Sequence, residues 1–269
     1  MRVLIKFFVI LIIVTIALSL GYGFFIFEKV KELKNPKTSI TITVYDWKKN
    51  PYNFIVGPKN PAYTQWNNIS GYVKWAVILS EDAKFYKHGG VDYEALKSAI
   101  KKNLEVGKYV KGGSTITQQL AKNLFLTREK SLIRKFKELI ISFLLERELS
   151  KTRILELYLN AVEFGPMIYG IKNASYYYFN KHPSELNPLE SSILASLLPS
   201  PKIFNPFSNV ERAEIRAKRI LKRMKQAKII SDAEFDFYEK SDLAVSIEKK
   251  IEIRTLKEET FANITSKAP

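Results

Sequence analysis

Three polar clusters in the sequence carry the residue types of a catalytic site. The first, "SEDAKFYKHGG" (80–90), contains a carboxylate and an imidazole; the second, "GGSTITQQLAKN" (112–123), joins two glycines to hydroxyls, amides and a lysine. The third, "RKFKE" (134–138), places a carboxylate among cations. A carboxylate in apolar surroundings makes a useful general base, and clustered cations stabilise an anionic leaving group.

The first cluster has a regular spacing. Intervals of four, four, four and three residues separate Val73, Val77, Glu81, Phe85 and His88. On one continuous helix these side chains form a single stripe, which places a carboxylate and an imidazole among apolar neighbours. A core carboxylate satisfied at a helix end explains the same spacing equally well. Both interpretations stay open on spacing alone.

The second cluster also has two interpretations. Thr115 as N-cap with Gln118 at N3 predicts a capping box, followed by an apolar stripe at 116, 120 and 124. Capping leaves five polar residues unexplained: Ser114, Thr117, Gln119, Lys122 and Asn123. Glycines at a helix start, followed by hydroxyls and a lysine, also suit a phosphate. The glycine–lysine–serine spacing is not that of a nucleotide-binding loop.

The third cluster lies on a predicted helix. We expect its buried face to consist of Leu132, Phe136, Leu139, Ile140, Phe143 and Leu144. Arg134 and Glu138, four residues apart, then form an exposed ion pair worth a few tenths of a kcal/mol. The alternative is a second carboxylate with cations suited to a leaving diphosphate.

The remaining polar patterns favour structural roles. Asp92, Asn187 and Glu190 have the positions of helix-capping residues. The charges of "ERAEIRAKRILKRMKQAK" are typical of the solvated face of an amphipathic helix.

Helical periodicity dominates from residue 69 onward. It predicts helices at 69–87, 92–104, 115–126, 131–149, 151–161, 168–179, 187–198, 209–228 and 232–239. One short strand is expected in "TSITITVYDW" (38–47). The fold class is therefore mainly α. The 269 residues contain no cysteine, which excludes disulfides, thiolate metal sites and a cysteine nucleophile.

The N-terminus and the net charge narrow the function classes. Residues 3–27 are apolar apart from one lysine and a few small polar residues, long enough for a transmembrane helix. Arg2 and Lys6 place the N-terminus in the cytoplasm by the positive-inside tendency. A cleaved signal peptide is the alternative, but its apolar region is normally shorter and no convincing cleavage site follows. With the rest of the chain outside the cytoplasm, the net charge of +16 favours lipid head groups or a phosphate-bearing substrate over nucleic acid.

Taken together, the clusters resemble the peptidoglycan glycosyltransferase family, the polymerising domain of class A penicillin-binding proteins. The matching segments, in the family's order, are "EDAKFYKHGGVD", "GGSTITQQLAKN", "RKFKE", "KTRILELYLN" and "ESSILASLLPSPKIFNP". They extend over 69–206, about half of the chain, and "YLNAVEFGPMIYGIKNASYYYFNK" resembles the monofunctional, membrane-anchored members. Two departures are Lys84, where arginine is common, and "LLPSPK", which leaves the contacts made there open.

The resemblance implies a lysozyme-like α fold with a membrane-associated jaw near 94–130, and lipid II as substrate. The expected organisation is a cytoplasmic N-terminus and anchor (1–28), a linker (29–68), the glycosyltransferase domain (69–239) and a charged tail (240–269). The implied partners are lipid II, the lipid-linked glycan strand and membrane phospholipids, and the resemblance allows contacts with division or elongation machinery. It implies extracytoplasmic action at the bacterial inner membrane.

The resemblance also implies roles for individual residues. Glu81 resembles the general base, and Glu138 the second essential carboxylate near the diphosphate. Residues that match sugar-diphosphate contacts or the donor-site rim are Ser114, Thr115, Gln119, Lys122, Asn123, Arg134 and Lys135. Asp82, Phe85 and His88 match residues that shape the first motif. No tightly bound cofactor is implied; Mg²⁺ or Mn²⁺ could act at Glu138 through the diphosphate.

Two rivals use the same residues differently. A lytic, lysozyme-like hydrolase would need a glutamate acid but not the basic "RKFKE" neighbourhood. A membrane-tethered scaffold that had lost the chemistry would not need both Glu81 and Glu138. The product separates the first rival, since a polymerase lengthens strands and a hydrolase shortens them.

Overall fold

The computed structural model describes residues 2–46, 48–108, 110, 112–127, 129, 131–198 and 210–241. These residues are mainly helical, as predicted. The α-helices among them are α1 (Arg2–Glu32), α2 (Gly71–Glu81), α3 (Tyr93–Val106), α4 (Ile116–Phe125), α5 (Leu132–Glu148), α6 (Lys151–Ala161), α7 (Ile171–Phe179), α8 (Pro188–Leu197), α9 (Val210–Gln226) and α10 (Asp232–Lys240). The strands are β1 (Ile40–Tyr45), β2 (Pro51–Val56), β3 (Glu163–Gly165) and β4 (Ile168–Tyr169). The tail after 241 and all of "PSPKIFNPF" lie outside the described residues.

The predicted helices are confirmed within about three residues, except the first. α2 ends at Glu81 because Asp82 leaves the helical region, at φ −158° and ψ 70°. A separate 3-10 turn follows at Phe85–Lys87. The continuous helix over 69–87 is therefore wrong, and Phe85 and His88 do not continue the α2 stripe.

The chain forms two compact units, each described separately. The first contains the described residues of Met1–Tyr45, Pro51–Tyr63 and Lys84–Ala161. The second contains those of Asp46–Asn50, Thr64–Ala83 and Val162–Pro269.

In the first unit, α4 packs against α5, α6 and β1. The predicted α4 stripe is confirmed, since Ile116, Leu120 and Leu124 are buried. The predicted strand is β1, which pairs with β2 in an antiparallel hairpin from Ile40↔Val56 to Tyr45↔Pro51. Sequence reasoning missed β2 because its first residue, Pro51, was taken as a break between elements. Strands tolerate proline at their first position.

Helix α5 does not bury the face that the sequence predicts to be buried. Of the six apolar residues expected inside, Leu132, Phe136, Ile140 and Phe143 are exposed, Leu132 by 90%. The buried side chains of α5 are instead Glu138, Ile141, Ser142 and Leu145. The physical reason is that Glu138 has polar partners inside the first unit, on the same face of α5 as the buried Ile141 and Leu145. The interpretation of Glu138 as a solvated surface group is therefore wrong.

Helix α1 is long and apolar enough to cross a membrane, with a candidate span at Ile5–Glu32. Along this segment large apolar side chains such as Ile10, Ile13 and Phe24 are exposed. Exposure of that kind suits contact with lipid, as the predicted anchor requires. Towards its C-terminal end α1 packs against α5.

The second unit is built around α8, whose residues are almost all buried. Helices α2 and α9 pack against α8 and against each other, and α10 packs on α9. α8 begins with the expected capping box of Asn187 and Glu190. The short hairpin of β3 and β4 was not predicted, because strands of three and two residues leave too little alternation to detect.

Candidate active site

The start of α4 holds one part of the candidate site, in the first unit. Thr115 caps the helix, and its hydroxyl donates to the carbonyl of Gly90 over 2.6 Å. Gly113 is needed just before it, because a Cβ there would lie 3.0 Å from the Cα of Leu96. The capping box with Gln118 is confirmed. This loop is therefore closely packed as well as polar.

The other polar residues of α4 take different positions. Gln119, Lys122 and Asn123 are half-buried, and the hydroxyl of Tyr158 donates to Gln119 over 3.0 Å. Thr117 is fully buried and donates to Glu146 over 2.5 Å. The structure thus gives Thr117 a packing role and leaves the other three on a partly accessible face.

Glu138 is the centre of a charged cluster beside the start of α4. Its side chain is only 4% exposed, and it accepts hydrogen bonds from Arg134, over 2.7 Å, and from Lys135. Lys135 also donates to the hydroxyl of Ser114 over 2.9 Å, which joins α5 to the second sequence cluster. The i,i+4 pair of Arg134 and Glu138 is confirmed, but in a buried setting.

One donor in this cluster has no partner in the part of the chain that the structure describes. The Nε of Arg134 is buried and makes no hydrogen bond among the described residues. A buried N–H without a partner is costly, so an acceptor supplied from outside the chain would relieve that cost. Guanidinium donors match the oxygens of phosphate. The cluster therefore has the donor set for an anionic ligand.

Contacts with α6 hold the loop after Lys84 in place. Phe85 is fully buried, and Lys151 lies 4.5 Å from the centre of its ring. Lys151 also donates to the carbonyl of His88 over 2.6 Å and to Glu146 over 2.8 Å. The Nδ1 of His88 accepts from the backbone N–H of Gly90, so this nitrogen shapes the turn. Sequence reasoning did not single out Lys151 or Glu146.

Glu81 and Asp82 belong to the second unit, unlike the other ten predicted site residues. Glu81 is the last residue of α2 and is half-buried; Asp82 is buried. Arg216 of α9 interacts electrostatically with Glu81 and donates from Nε to the carbonyl of Ser196 over 3.1 Å. Burial lowers the pKa of Arg216 below its ordinary value, and the charge of Glu81 opposes that decrease.

Arg216 is a further residue that sequence reasoning missed. Its signal was present, because it lies three residues after Ala213 and four before Ile220, which are both buried. An arginine at core spacing on an amphipathic helix is unusual and indicates a partner for the charge. Its neighbour Arg223, by contrast, is exposed and donates to the carbonyl of Leu79 on α2 over 2.8 Å.

Two cavities formed by described residues lie elsewhere. One, of about 690 Å³, lies at the turn between α9 and α10, and another, of about 460 Å³, lies beside the C-terminal half of α1. Neither is lined by a predicted site residue. The described residues also include no group of three or more His, Asp or Glu side chains suited to a metal ion.

Comparison with known proteins identifies the class to which this fold and site belong. A family model described as Transglycosylase matches residues 49–225, more than half of the chain. The chain belongs to this family and is a glycosyltransferase of peptidoglycan synthesis.

Its relatives include both shorter and longer proteins. It is 44% identical over 172 residues to the biosynthetic peptidoglycan transglycosylase of Acinetobacter baylyi. The matched region covers 63% of this chain and 77% of that protein. The Nitrosomonas eutropha protein of the same name is 45% identical, covering 64% and 72%. Penicillin-binding protein 1A of Aquifex aeolicus is 39% identical over 88% of this chain, which spans only 33% of that protein.

A solved structure gives a weaker comparison. The crystal structure of penicillin-binding protein 1A from Haemophilus influenzae covers 76% of this chain and 21% of that chain, at 20% identity and a TM-score of 0.40. That value is too low to bear on the architecture. The lysozyme-like arrangement and the jaw near 94–130 stay predictions.

Proposed function

We propose that this chain polymerises glycan strands from lipid II, the disaccharide-pentapeptide carried on undecaprenyl diphosphate. The observation that supports this best is the pairing of the buried Glu138 with Arg134 and Lys135. The Nε of Arg134 has no partner among the described residues and can donate to a ligand. A transferase that releases a lipid diphosphate needs such a group of cations for its leaving group. A hydrolase acting on finished strands has no diphosphate to bind.

The proposed reaction is a single displacement. The 4-hydroxyl of the GlcNAc of lipid II attacks the anomeric carbon of the growing strand, and the bond from that carbon to the diphosphate oxygen breaks. Undecaprenyl diphosphate departs with the bonding electrons, and Glu81 accepts the proton of the attacking hydroxyl. Attack from the opposite face inverts the α-linkage to a β-1,4 bond.

The residues of the first unit would bind the donor. Arg134 and Lys135 would contact the diphosphate, while Glu138 keeps both cations in place. Ser114, Thr115, Gln119, Lys122 and Asn123 would form the rim that contacts sugar and phosphate oxygens. A Mg²⁺ or Mn²⁺ ion bound by the diphosphate would add positive charge there. Asp82, Phe85 and His88 would shape the backbone next to the base.

The exposed apolar residues support action at a membrane surface. On α3 these are Tyr93, Leu96, Ile100 and Leu104. On α5 they are Leu132, Ile133, Phe136 and Ile140. Apolar surface of this extent on a folded unit is typical of contact with lipid or protein. We infer that these residues contact the extracytoplasmic side of an inner membrane crossed by α1, and that those of α3 belong to the membrane-associated jaw expected near 94–130.

The membrane face would bring both lipid-linked substrates together. Holding them at one surface converts a rare encounter into an oriented one. The implied partners are therefore lipid II, the lipid-linked strand and phospholipids, with division or elongation machinery as further candidates.

The test uses full-length protein in detergent with labelled lipid II, with and without Mg²⁺. Products are separated by size and digested with muramidase. We expect muramidase-sensitive polymer from the wild type and none from Glu81→Gln. The matched control is Glu239→Gln, an exposed carboxylate on α10 of the same unit, which should polymerise normally.

Each other outcome selects a rival. If the folded wild type binds lipid II but makes no polymer, the chain is a scaffold. If it shortens preformed strands, it is a hydrolase. Normal polymerisation by Glu81→Gln would remove Glu81 from the proposed mechanism while leaving the activity in place.

A further inference from the structure

The membrane helix continues into the core of the first unit. Phe24 and Phe25 of α1 are 66% and 56% exposed, but Ile26, Val30 and Leu33 just after them are buried. Their spacing of four and three residues puts them on one face. α1 is therefore one continuous helix whose last two turns belong to the folded unit.

Arg153 on the first turn of α6 closes the end of this helix. Its Nε donates to the carbonyl of Leu33 over 3.0 Å, and Nη2 donates to the carbonyl of Asn35 over 3.5 Å. Leu33 and Asn35 belong to the turn that follows α1, so these hydrogen bonds hold that turn against α6. They also place a cation at the C-terminal end of the helix, where positive charge is favourable.

The guanidinium is itself fixed by a buried cluster. Arg153 Nη1 donates to Glu156 over 2.6 Å and to the hydroxyl of Tyr63 over 2.7 Å. Tyr63 in turn donates to Glu156. Burial, followed by the hydrogen bond to Glu156, raises the pKa of Tyr63 well above its ordinary value, so the phenol stays a neutral donor. The cluster joins α6, the end of α1 and the segment after β2.

The same helix α6 supports the candidate donor site. Tyr158 donates to Gln119, and Lys151 holds the carbonyl of His88. A second connection runs through α5, where Lys137 lies 4.9 Å from the ring of Tyr22 and Arg147 lies 5.0 Å from the ring of Phe27. The membrane helix and the residues around the donor site therefore share one set of supports.

We propose that Arg153 is a positioning residue that clamps the membrane helix to α6 and so fixes the height and tilt of the donor site over the bilayer. The inference rests on the proposed function, because height over the bilayer matters only for a substrate anchored there. Lysine cannot replace arginine fully, since its single ammonium lacks the planar fork that contacts Leu33, Tyr63 and Glu156 together.

The clamp can be tested by a distance measurement, because the chain has no cysteine. Spin labels at Ile10→Cys on α1 and Thr152→Cys on α6, both exposed, report the anchor's orientation in nanodiscs. We expect a narrow distance distribution in the otherwise wild-type chain and a broad one in Arg153→Met. Arg153→Lys should lie between them, and Lys222→Met on the exposed face of α9 should stay narrow.

Activity supplies the second readout. In Arg153→Met, polymerisation of lipid II embedded in vesicles should fall on the order of tenfold to a hundredfold, the effect of misplaced reacting groups. Turnover of a water-soluble, short-chain lipid II analogue should stay within about twofold, because that substrate is not tied to the bilayer. If Arg153 had a merely structural role, its replacement would lower the turnover of both substrates by the same factor.

Three outcomes decide the matter. A folded Arg153→Met protein that keeps a narrow distribution overturns the clamp, and so does an equal loss on both substrates. If Arg153→Met does not fold, Arg153→Lys takes its place, with the same two results overturning the proposal. A wild type that makes no polymer, while Arg153→Met still broadens the distances, would refute the proposed function and leave the clamp standing.

Discussion

The two carboxylates that we assign to the chemistry have different surroundings. Glu138 lies in the middle of α5, is almost fully buried, and pairs with two cations one turn earlier on its own helix. Glu81 lies at the end of α2, is half-buried, and has a cation contributed by another helix, α9. The first arrangement holds charges in place, whereas the second leaves a carboxylate accessible for proton transfer.

The helices that carry these charges differ in the same way. α9 follows the usual rule, with Ala217, Leu221 and Met224 buried and most of its cations exposed. α5 buries Glu138 and exposes its large apolar side chains. An amphipathic pattern therefore tells which residues share a face but not which face is inside, because that depends on whether the outer medium is water or lipid.

The largest expected effect separates the two carboxylates by activity. Glu81→Gln should lower the rate of polymerisation about 10²–10⁴-fold, the usual contribution of a general base, which leaves no detectable polymer in the product assay. Its free energy of unfolding should change by less than about 0.5 kcal/mol, because a half-buried group at a helix end is replaced by an amide of the same size. Steady-state kinetics and urea denaturation measure the two quantities. A stability loss as large as that of Glu138→Gln would remove the contrast.

Glu138→Gln should affect stability as well as activity. The change leaves the half-buried Arg134 and the partly exposed Lys135 with a neutral partner, which should cost about 1–3 kcal/mol in the free energy of unfolding. Lipid II affinity should fall too, because the two cations lose their common fixed point. Urea denaturation and lipid II binding test this; unchanged affinity would argue that the cluster does not contact the diphosphate.

Arg216→Met tests whether the charge of Arg216 acts on Glu81 in the second unit. Loss of a nearby cation makes a carboxylate bind a proton more readily, so the acidic limb of the pH–rate profile should move to higher pH. The decrease in kcat should be confined to the acidic side of the profile, where the carboxylate takes up a proton. Arg223→Met, which removes an exposed arginine contacting the same end of α2, is the control and should leave the profile in place. Equal shifts in both variants would point to net charge instead.

The two helix-capping residues Thr115 and Ser231 should differ less in their effects. Ser231→Ala removes the cap of α10 and should cost about 1 kcal/mol. Thr115→Ala removes a cap and a buried hydrogen bond to Gly90, so its cost should be nearer to about 2 kcal/mol. Only Thr115→Ala should reduce polymerisation. Thermal unfolding with activity assays distinguishes them; equal effects would mean that the Gly90 contact contributes nothing.

The smallest effect is a pH dependence in the second unit. The backbone N–H and hydroxyl of Ser231 lower the pKa of Glu234. A lowered folded-state pKa means that this contribution is present above the ordinary carboxyl range and is lost as pH falls through the folded value. Glu234→Gln should therefore reduce the acid sensitivity of unfolding by less than about 1 kcal/mol. An unchanged pH profile in this variant would contradict the assignment.

Local signals in the sequence were enough for part of this structure. The start of α4 was predictable because glycine, threonine and glutamine at fixed positions encode a cap. The end of α2 was not, because the stripe continued through Phe85 while the backbone at Asp82 left the helix. Periodicity reports which residues would share a face if the helix continued, and nothing in it marks where the helix stops.

The site was predictable only where its residues are close in sequence. Arg134 and Glu138 could be paired by their i,i+4 spacing, but their burial depends on Ser114 and α4, which lie elsewhere in the chain. Arg216 approaches Glu81 only through the packing of α9 against α2. Contacts between distant segments need the fold, and the family resemblance supplied roles for residues but no position for Arg216.

The central claim of the proposed function is that Glu138, with Arg134 and Lys135, binds the lipid diphosphate and that Glu81 is the base. The most direct test measures lipid II affinity and polymer formation in the same preparations of wild type, Glu81→Gln and Glu138→Gln. The account predicts that Glu81→Gln binds lipid II within a few-fold of wild type and makes no polymer, whereas Glu138→Gln binds it more weakly. Parallel loss of binding and polymer in Glu81→Gln, or wild-type affinity in Glu138→Gln, would contradict it.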